Sequence, residues 1–265
     1  MIEIRRILQM KLINPIAIYV MWLREMKRFV RAKSRVIGTL AMPLFFLLFL
    51  GLGFTNMSLP DMPGNISYID FLVPGIVGMT MLFTSMFAGI SVLWDREFGF
   101  LKEIMVAPVS RVSLVLGRIA GGATTSVIQG IIILLISLLM GFKIPTFSGL
   151  VLAILFMVLI SISFIGLGLI FASKMTDIHG FSLIMNFVVF PLFFLSGAIF
   201  PLENLPAVIR YISYLDPLTY GVDGLRGSLT GISQFPILQN ITILVGFCLL
   251  MVSLGAYFFE RTEVE

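Results

Sequence analysis

The sequence predicts an all-α membrane protein, and three observations carry that prediction. Six stretches of 19 to 26 residues contain no Asp, Glu, Lys, Arg or His, the charged fraction is 12% against a hydrophobic fraction of 58%, and the mean hydropathy is +1.07. A soluble domain carries nearer ~25% charged residues. The apolar stretches run 36–54, 71–93, 119–140, 147–172, 181–200 and 237–259. With a helical rise of about 1.5 Å per residue, roughly 20 residues cross a ~30 Å hydrocarbon core, so each stretch can span a bilayer. The polar segments between them are short. One six-span membrane domain over 36–259 is therefore expected, preceded by an N-terminal region (1–35) and followed by a short tail (260–265), with no soluble catalytic domain.

In the N-terminal region, Arg24, Lys27, Arg28, Arg31 and Arg35 recur at spacings of three and four, which places them on one stripe of a helix. Tyr19, Trp22, Leu23, Met26, Phe29 and Val30 flank that stripe. Cations beside aromatic and aliphatic side chains suit an interfacial helix lying among lipid headgroups, and a solvated charge run is the simpler alternative. A cleavable leader has its apolar run directly after a short basic region, whereas the first run here begins at Val36, so no cleavage is expected. Orientation follows from Lys and Arg in alternate connections. With the N-terminus inside, 15 fall on the cytoplasmic side and 3, Lys143, Arg210 and Arg226, on the other. That split predicts a multi-pass cell-membrane protein with both termini cytoplasmic. The net charge of +4 is then topological and does not point to nucleic acid.

The spans themselves are rich in small and hydroxylated residues. Gly117 and Gly121 form a G-x-x-x-G pair, Ser85 and Gly89 a second small pair, and Gly166 and Gly168 follow Ser161 and Ser163; all of these permit close helix packing. Thr124, Thr125, Gln129 and Asn186 are candidates for lining a substrate route, although interhelical hydrogen bonding explains each of them singly. Because the uncharged runs offer no proton or ion relay, the driving energy is expected to enter from outside the membrane. Cys248, the only cysteine, excludes an intramolecular disulfide and reads as a small apolar filler.

Two connections carry more specific patterns. Between the second and third runs, Leu101, Ile104 and Met105 recur at helical spacing among Arg96, Glu97, Lys102 and Glu103, before Pro108 stops the helix. A solvated loop needs no such pattern, whereas a helix docking into a groove on a cytosolic partner does. Between the fifth and sixth runs, Pro201, Pro206 and Pro217 punctuate a segment rich in Ile and Tyr, including Tyr220. Short re-entrant or interfacial hairpins forming a lid on the outer face are expected there.

These two blocks resemble the permease subunits of ATP-binding-cassette type 2 exporters, the group of daunorubicin-resistance, nodulation-factor and polysaccharide exporters. Arg96-Glu97, Gly99, Leu101, Glu103 and the run from Met105 to Arg111 look like that family's cytoplasmic coupling segment, with Phe100 where Thr is common. Pro191-Leu192, Leu195-Ser196-Gly197-Ala198, Leu205-Pro206 and Pro217-Leu218-Thr219-Tyr220 followed by Arg226 are similar to its block of fifth span and outer hairpins. The resemblance implies a subunit that pairs with a second copy or a close relative and with two ATPase subunits. No G-x-x-x-x-G-K-[ST] phosphate loop occurs in the chain, so ATP and Mg are expected on the partner ATPase and no cofactor on this chain.

The expected function is thus export of a hydrophobic small molecule, drug or lipid through a non-enzymatic permease, with the ATPase docking on Arg96 to Met105. Polysaccharide or glycolipid cargo is the alternative, as is a non-transporting scaffold paired with an ATPase. The single His179 beside Asp177 falls far short of a metal site or a catalytic triad.

Overall fold

The computed structural model describes residues 13–54, 67–99, 109–144, 146–175 and 177–260. Within these, the chain forms α1 (Pro15–Arg31), α2 (Lys33–Gly53), α3 (Tyr68–Ala88), α4 (Ile90–Glu97), α5 (Arg111–Leu139), α6 (Phe147–Lys174), α7 (Ile178–Leu195), α8 (Ala207–Ser213), α9 (Pro217–Thr230) and α10 (Ile237–Glu260). Among the described residues, α2, the collinear pair α3–α4, α5, α6, α7 and α10 are each long and apolar enough to cross a membrane.

Side-chain caps fix where several helices begin. Asn14, Ser67, Ser110, Thr146, Asp177 and Asp216 each accept a hydrogen bond from a backbone N–H in the first turn of the helix that follows. Pro15 and Pro217 occupy first positions, where the missing N–H is harmless. These caps place helix ends outside the charge-free runs. α5 starts at Arg111, eight residues before its uncharged run, because Ser110 supplies the cap and nothing between the two breaks the helix. The second span likewise continues through α4 to Glu97. Asp95 and Arg118 therefore lie within spanning helices, and the expectation that these helices are free of ionisable groups needs correcting. α7 ends at Leu195, earlier than its apolar run, where Gly197 adopts a φ of +71° that only glycine takes without strain.

α3 is the central helix, buried along almost its whole length and packed on α2, α5, α6, α7 and α9. Glycines set several of these distances. A Cβ at Gly89, between α3 and α4, would lie 2.6 Å from the Gly168 carbonyl oxygen on α6, and one at Gly168 would lie 2.7 Å from that of Met86. The Ser85 and Ser126 hydroxyls meet at 3.2 Å between α3 and α5. The small residues read from the sequence thus act in packing, as membrane helices require where no hydrophobic drive separates protein from lipid. α2, α7 and α10 expose most of their surface.

The segment between α7 and α10 is a wedge more than a cover. Eleven of the fourteen residues of α9 are buried, packed against α3, α6 and α10. Gly224 admits the Phe156 ring and Gly78 admits Val222. Asp223 holds the wedge to the start of α10, accepting from Gln234 N at 2.8 Å, Phe235 N at 3.0 Å and Asn240 Nδ2 at 2.9 Å. Beneath it, a Cβ on Gly75 would lie 2.1 Å from the Ala198 carbonyl oxygen, so α3 and the turn after α7 touch backbone to backbone. Gly75→Ala should lower the thermal midpoint of the solubilised protein by about 3–10 °C, the effect of roughly 1–3 kcal/mol of overpacking in a domain of this size. Gly246→Ala, whose Cβ would meet nothing within 4 Å, is the control and should leave the midpoint nearly unchanged.

Candidate functional site

At the opposite end of α3–α4 from the wedge, α1 lies along α5. A Cβ on Gly117 would come within 2.6 Å of Met21 Cβ and one on Gly121 within 2.6 Å of Glu25 Cβ, so the G-x-x-x-G pair is the seat of α1. Asn14 N donates to Ser113 Oγ at 2.8 Å and Trp22 Nε1 to Thr124 Oγ1 at 3.1 Å, fixing the register of the two helices.

That register brings three guanidiniums to one carboxylate. Arg24 Nη2 and Arg28 Nη2 of α1 lie 2.5 and 2.9 Å from Asp95 Oδ1, and Arg118 Nη2 of α5 lies 2.6 Å from Asp95 Oδ2. Asp95 and Arg118 are almost wholly buried, and Arg118 also donates to Ser91 Oγ at 3.3 Å and faces the Phe259 ring of α10. A charge removed from water must be paired and hydrogen-bonded, and Asp95 accepts from all three cations with both oxygens. α1, α4 and α5 are thereby joined at one point.

Two residues beyond Asp95, α4 ends at Glu97. Phe98 and Glu97 are exposed, and Gly99 closes the helix with a φ of +72°. Arg96, Glu97 and Gly99 of the expected coupling segment therefore project from the charge cluster. Leu101, Lys102, Glu103, Ile104 and Met105 lie outside the described residues.

The five-cation stripe divides. Arg24 and Arg28 turn to Asp95; Arg35 sits 5.0 Å from the Trp94 ring centroid and donates to the Phe87 carbonyl at 3.4 Å; Lys27 and Arg31 are exposed, next to exposed Val20 and Val30. Trp22 is tied to α5. Of the route candidates, Thr124 is the acceptor for Trp22, whereas Thr125 and Gln129 line a cleft between α1, α2, α3 and α5. Asn186 is exposed at the midpoint of α7.

Of the residues expected in the outer hairpins, Arg226 is buried, with its guanidinium 3.8 Å over the Phe71 ring and Nη2 donating to the Gly197 carbonyl at 3.0 Å. Pro206 precedes α8, Pro217 opens α9, and the Tyr220 hydroxyl donates to the Tyr214 carbonyl at 2.9 Å. Asp216 caps α9 through Leu218 N at 2.9 Å, and burial pushes its carboxyl up to about 8. The sequence reading gave no role to Asp95, Arg118 or Asp223. The signal for Arg118 is its place directly after Gly117 in a helix-packing motif, and that for Asp95 is its position two residues past an uninterrupted apolar run.

The buried cluster at the end of α4 leads directly to exposed Glu97 and Phe98, and sequence comparison identifies the family. The family model described as ABC-2 type transporter matches residues 16–230. The chain belongs to the ABC-2 type transporter family. It is 31% identical over 240 residues to the inner membrane transport permease YadH of Escherichia coli (strain K12), covering 88% of this chain and 90% of that protein. It is 29% identical over 202 residues to the putative transport permease ycf38 of Cyanophora paradoxa, with 75% and 70% covered, and 28% identical over 212 residues to Nodulation protein J of Rhizobium leguminosarum bv. trifolii, with 79% of each covered. As an ABC-2 permease it is the non-catalytic membrane subunit of an ABC exporter, and ATP hydrolysis resides on a partner subunit.

Asp95→Asn leaves Arg118 of the permease buried without its counter-charge and should destabilise the fold by about 3–5 kcal/mol, visible as lost monodisperse protein in fluorescence-detected chromatography after heating. Adding Arg118→Met removes the stranded cation and should recover part of the loss. A double variant no better than Asp95→Asn alone would show that Arg24 and Arg28, not Arg118, dominate the pairing.

Proposed function

We propose that this permease works as two copies with two ATPase subunits, docks its ATPase through residues 96–105, and exports a hydrophobic small molecule, drug or lipid from the cytoplasm. The observation that carries the reading is the Asp95 cluster at the root of the docking segment. A push delivered to Glu97 reaches Asp95 within a single helical turn, and from there α1 and α5 through charge-assisted hydrogen bonds. Closure of the ATPase pair on ATP then tilts α4 and α5 together and alternates the access of the route.

Three further features support the arrangement. The 15 to 3 distribution of Lys and Arg supports a cytoplasmic position for the Asp95 end. Lys27 and Arg31, with the exposed apolar side chains of α1, suit an anionic lipid surface. Asn186 exposes an amide midway along a span, where hydrocarbon would leave it unsatisfied at a cost of several kcal/mol. A second copy seated on α7, or a wet route between the two copies, removes that cost. The long apolar runs within the spans favour apolar cargo over a polysaccharide or glycolipid.

ATP-dependent uptake into inverted vesicles containing the permease and its ATPase tests transport and cargo class together. Glu97→Lys should cut substrate-stimulated ATP hydrolysis severalfold while membrane insertion is unchanged. Full stimulation in both Glu97→Lys and Glu103→Lys would remove this segment from the ATPase interface. Orientation is read by an impermeant thiol reagent on intact cells in a Cys248→Ser background: Ser233→Cys should react and His179→Cys should not, and the opposite pattern would invert the topology.

A further inference from the structure

The cleft lined by Thr125 and Gln129 has a volume of about 60 Å³ and lies where α1 meets α2, at the same end of the bundle as Asp95. α2 packs mainly on α3 and only touches α1 and α5, so a wedge remains between them, and the cleft fills it. One wall carries Arg28, Arg35 and Glu25. The other offers Ser91, Thr125 and Gln129, and Thr39 donates to Gln129 Oε1 at 2.8 Å across the gap.

The electrostatics of this wall are unbalanced. Among the described residues, the cleft and the cluster behind it hold four guanidiniums, Arg24, Arg28, Arg35 and Arg118, against two carboxylates, Asp95 and Glu25. Arg28 gives Nη2 to Asp95, but its Nη1 is buried without a hydrogen-bond partner. Glu25 Oε1 stands 3.7 Å from that Nη1, close enough for an ion pair but beyond hydrogen-bond range, and itself accepts no hydrogen bond. A buried donor and a buried acceptor side by side, within a net positive wall, call for a group that presents an anionic oxygen to one and a donor to the other. Glu25, Arg28 and Phe29 of α1 line the site, and the exposed face of the same helix carries Val20, Lys27, Val30 and Arg31, so the group can arrive on an acyl chain from the lipid.

We propose that this cleft binds the headgroup of an anionic phospholipid, with the phosphate between Arg28 and Arg35 and a headgroup hydroxyl donating to Glu25. Arg35 lies under Trp94, and the chain has only two tryptophans, so occupancy is readable by fluorescence. The full-length protein carrying Trp22→Phe is reconstituted in phosphatidylcholine nanodiscs containing a low mole fraction of acyl-brominated phosphatidylglycerol or, in parallel, acyl-brominated phosphatidylcholine. Quenching of Trp94 should favour the anionic lipid severalfold. Arg35→Gln should cut that preference by about fivefold, the share of one cation at an anionic lipid surface, and Arg28→Gln should do the same. Because each comparison is a ratio between two lipids within one variant, a change in Trp94 environment cancels. Lys27→Gln with Arg31→Gln should leave the ratio intact, and soluble glycerol phosphate should not displace the quencher. Loss of preference only in the Lys27/Arg31 variant would place the lipid on the outer stripe and overturn the cleft. Displacement by soluble glycerol phosphate would overturn the lipid source and assign the site to a free anion. A preference unchanged by both Arg35→Gln and Arg28→Gln would overturn the site altogether.

Discussion

Asp95 sits near the end of a helix long enough to span the bilayer, and the carboxylate is tolerable there because cations from two other helices surround it. Each of those cations depends on something else being in place. Arg24 and Arg28 reach it only because Gly117 and Gly121 let α1 lie backbone-close on α5, and Arg118 reaches it from α5 itself, one residue after Gly117. Removing either glycine would push α1 outward and leave the carboxylate with fewer partners. Helix packing and charge pairing are thus conditions of one another at this end of the molecule, as they are wherever ions are buried among apolar side chains.

The opposite end is held together by different means. There the contact between α3 and the turn after α7 is backbone on backbone at Gly75, and Arg226 donates to the carbonyl that Gly197 presents from its left-handed conformation. That cation is stacked on Phe71 and bonded to a carbonyl, with the Asp223 carboxylate of the same helix also favouring its charge, so this end holds its cation by a ring face, a dipole and a through-space carboxylate. Between the two ends α3 runs as a buried axis and α10 lies closely along α6, while α2 and α7 are held more thinly, mainly on α3. Spans with such thin attachment are the ones that can move against the axis without disturbing either end.

The six spans were legible because an uncharged run of about twenty residues has few other uses. Their limits were not, since a run of apolar residues ends at the first charge whereas a helix ends at the next cap or breaker, and Ser110 and Gly99 lie several residues outside the uncharged runs. Periodicity put Arg24 and Arg28 on one stripe, yet it cannot distinguish a lipid phosphate from a carboxylate 71 and 67 positions along the chain. For the same reason Thr124 read as a possible route residue although it receives the Trp22 indole. Arg226 and Gly197 both stood out through resemblance to relatives, but their direct contact, and that of Arg226 with Phe71 155 residues away, is a fact of three dimensions. The features that stayed hidden are those made by pairing distant segments.

The seat of α1 has a consequence for how the chain is made. Asn14 and Trp22 are bonded to Ser113 and Thr124, 99 and 102 positions later. Synthesis at ~5–20 residues per second leaves α1 outside the ribosome for roughly 5–20 s before α5 exists to receive it. Arg24 and Arg28 have no Asp95 for the first 71 and 67 residues of it, and Trp22 has no Thr124 until its end. A helix with basic and aromatic faces can wait at the membrane surface with its cations on lipid phosphate, then exchange those partners for protein ones when α5 is inserted. The amphipathic pattern of α1 serves two successive environments, and the later one reuses the side chains that made the earlier one stable.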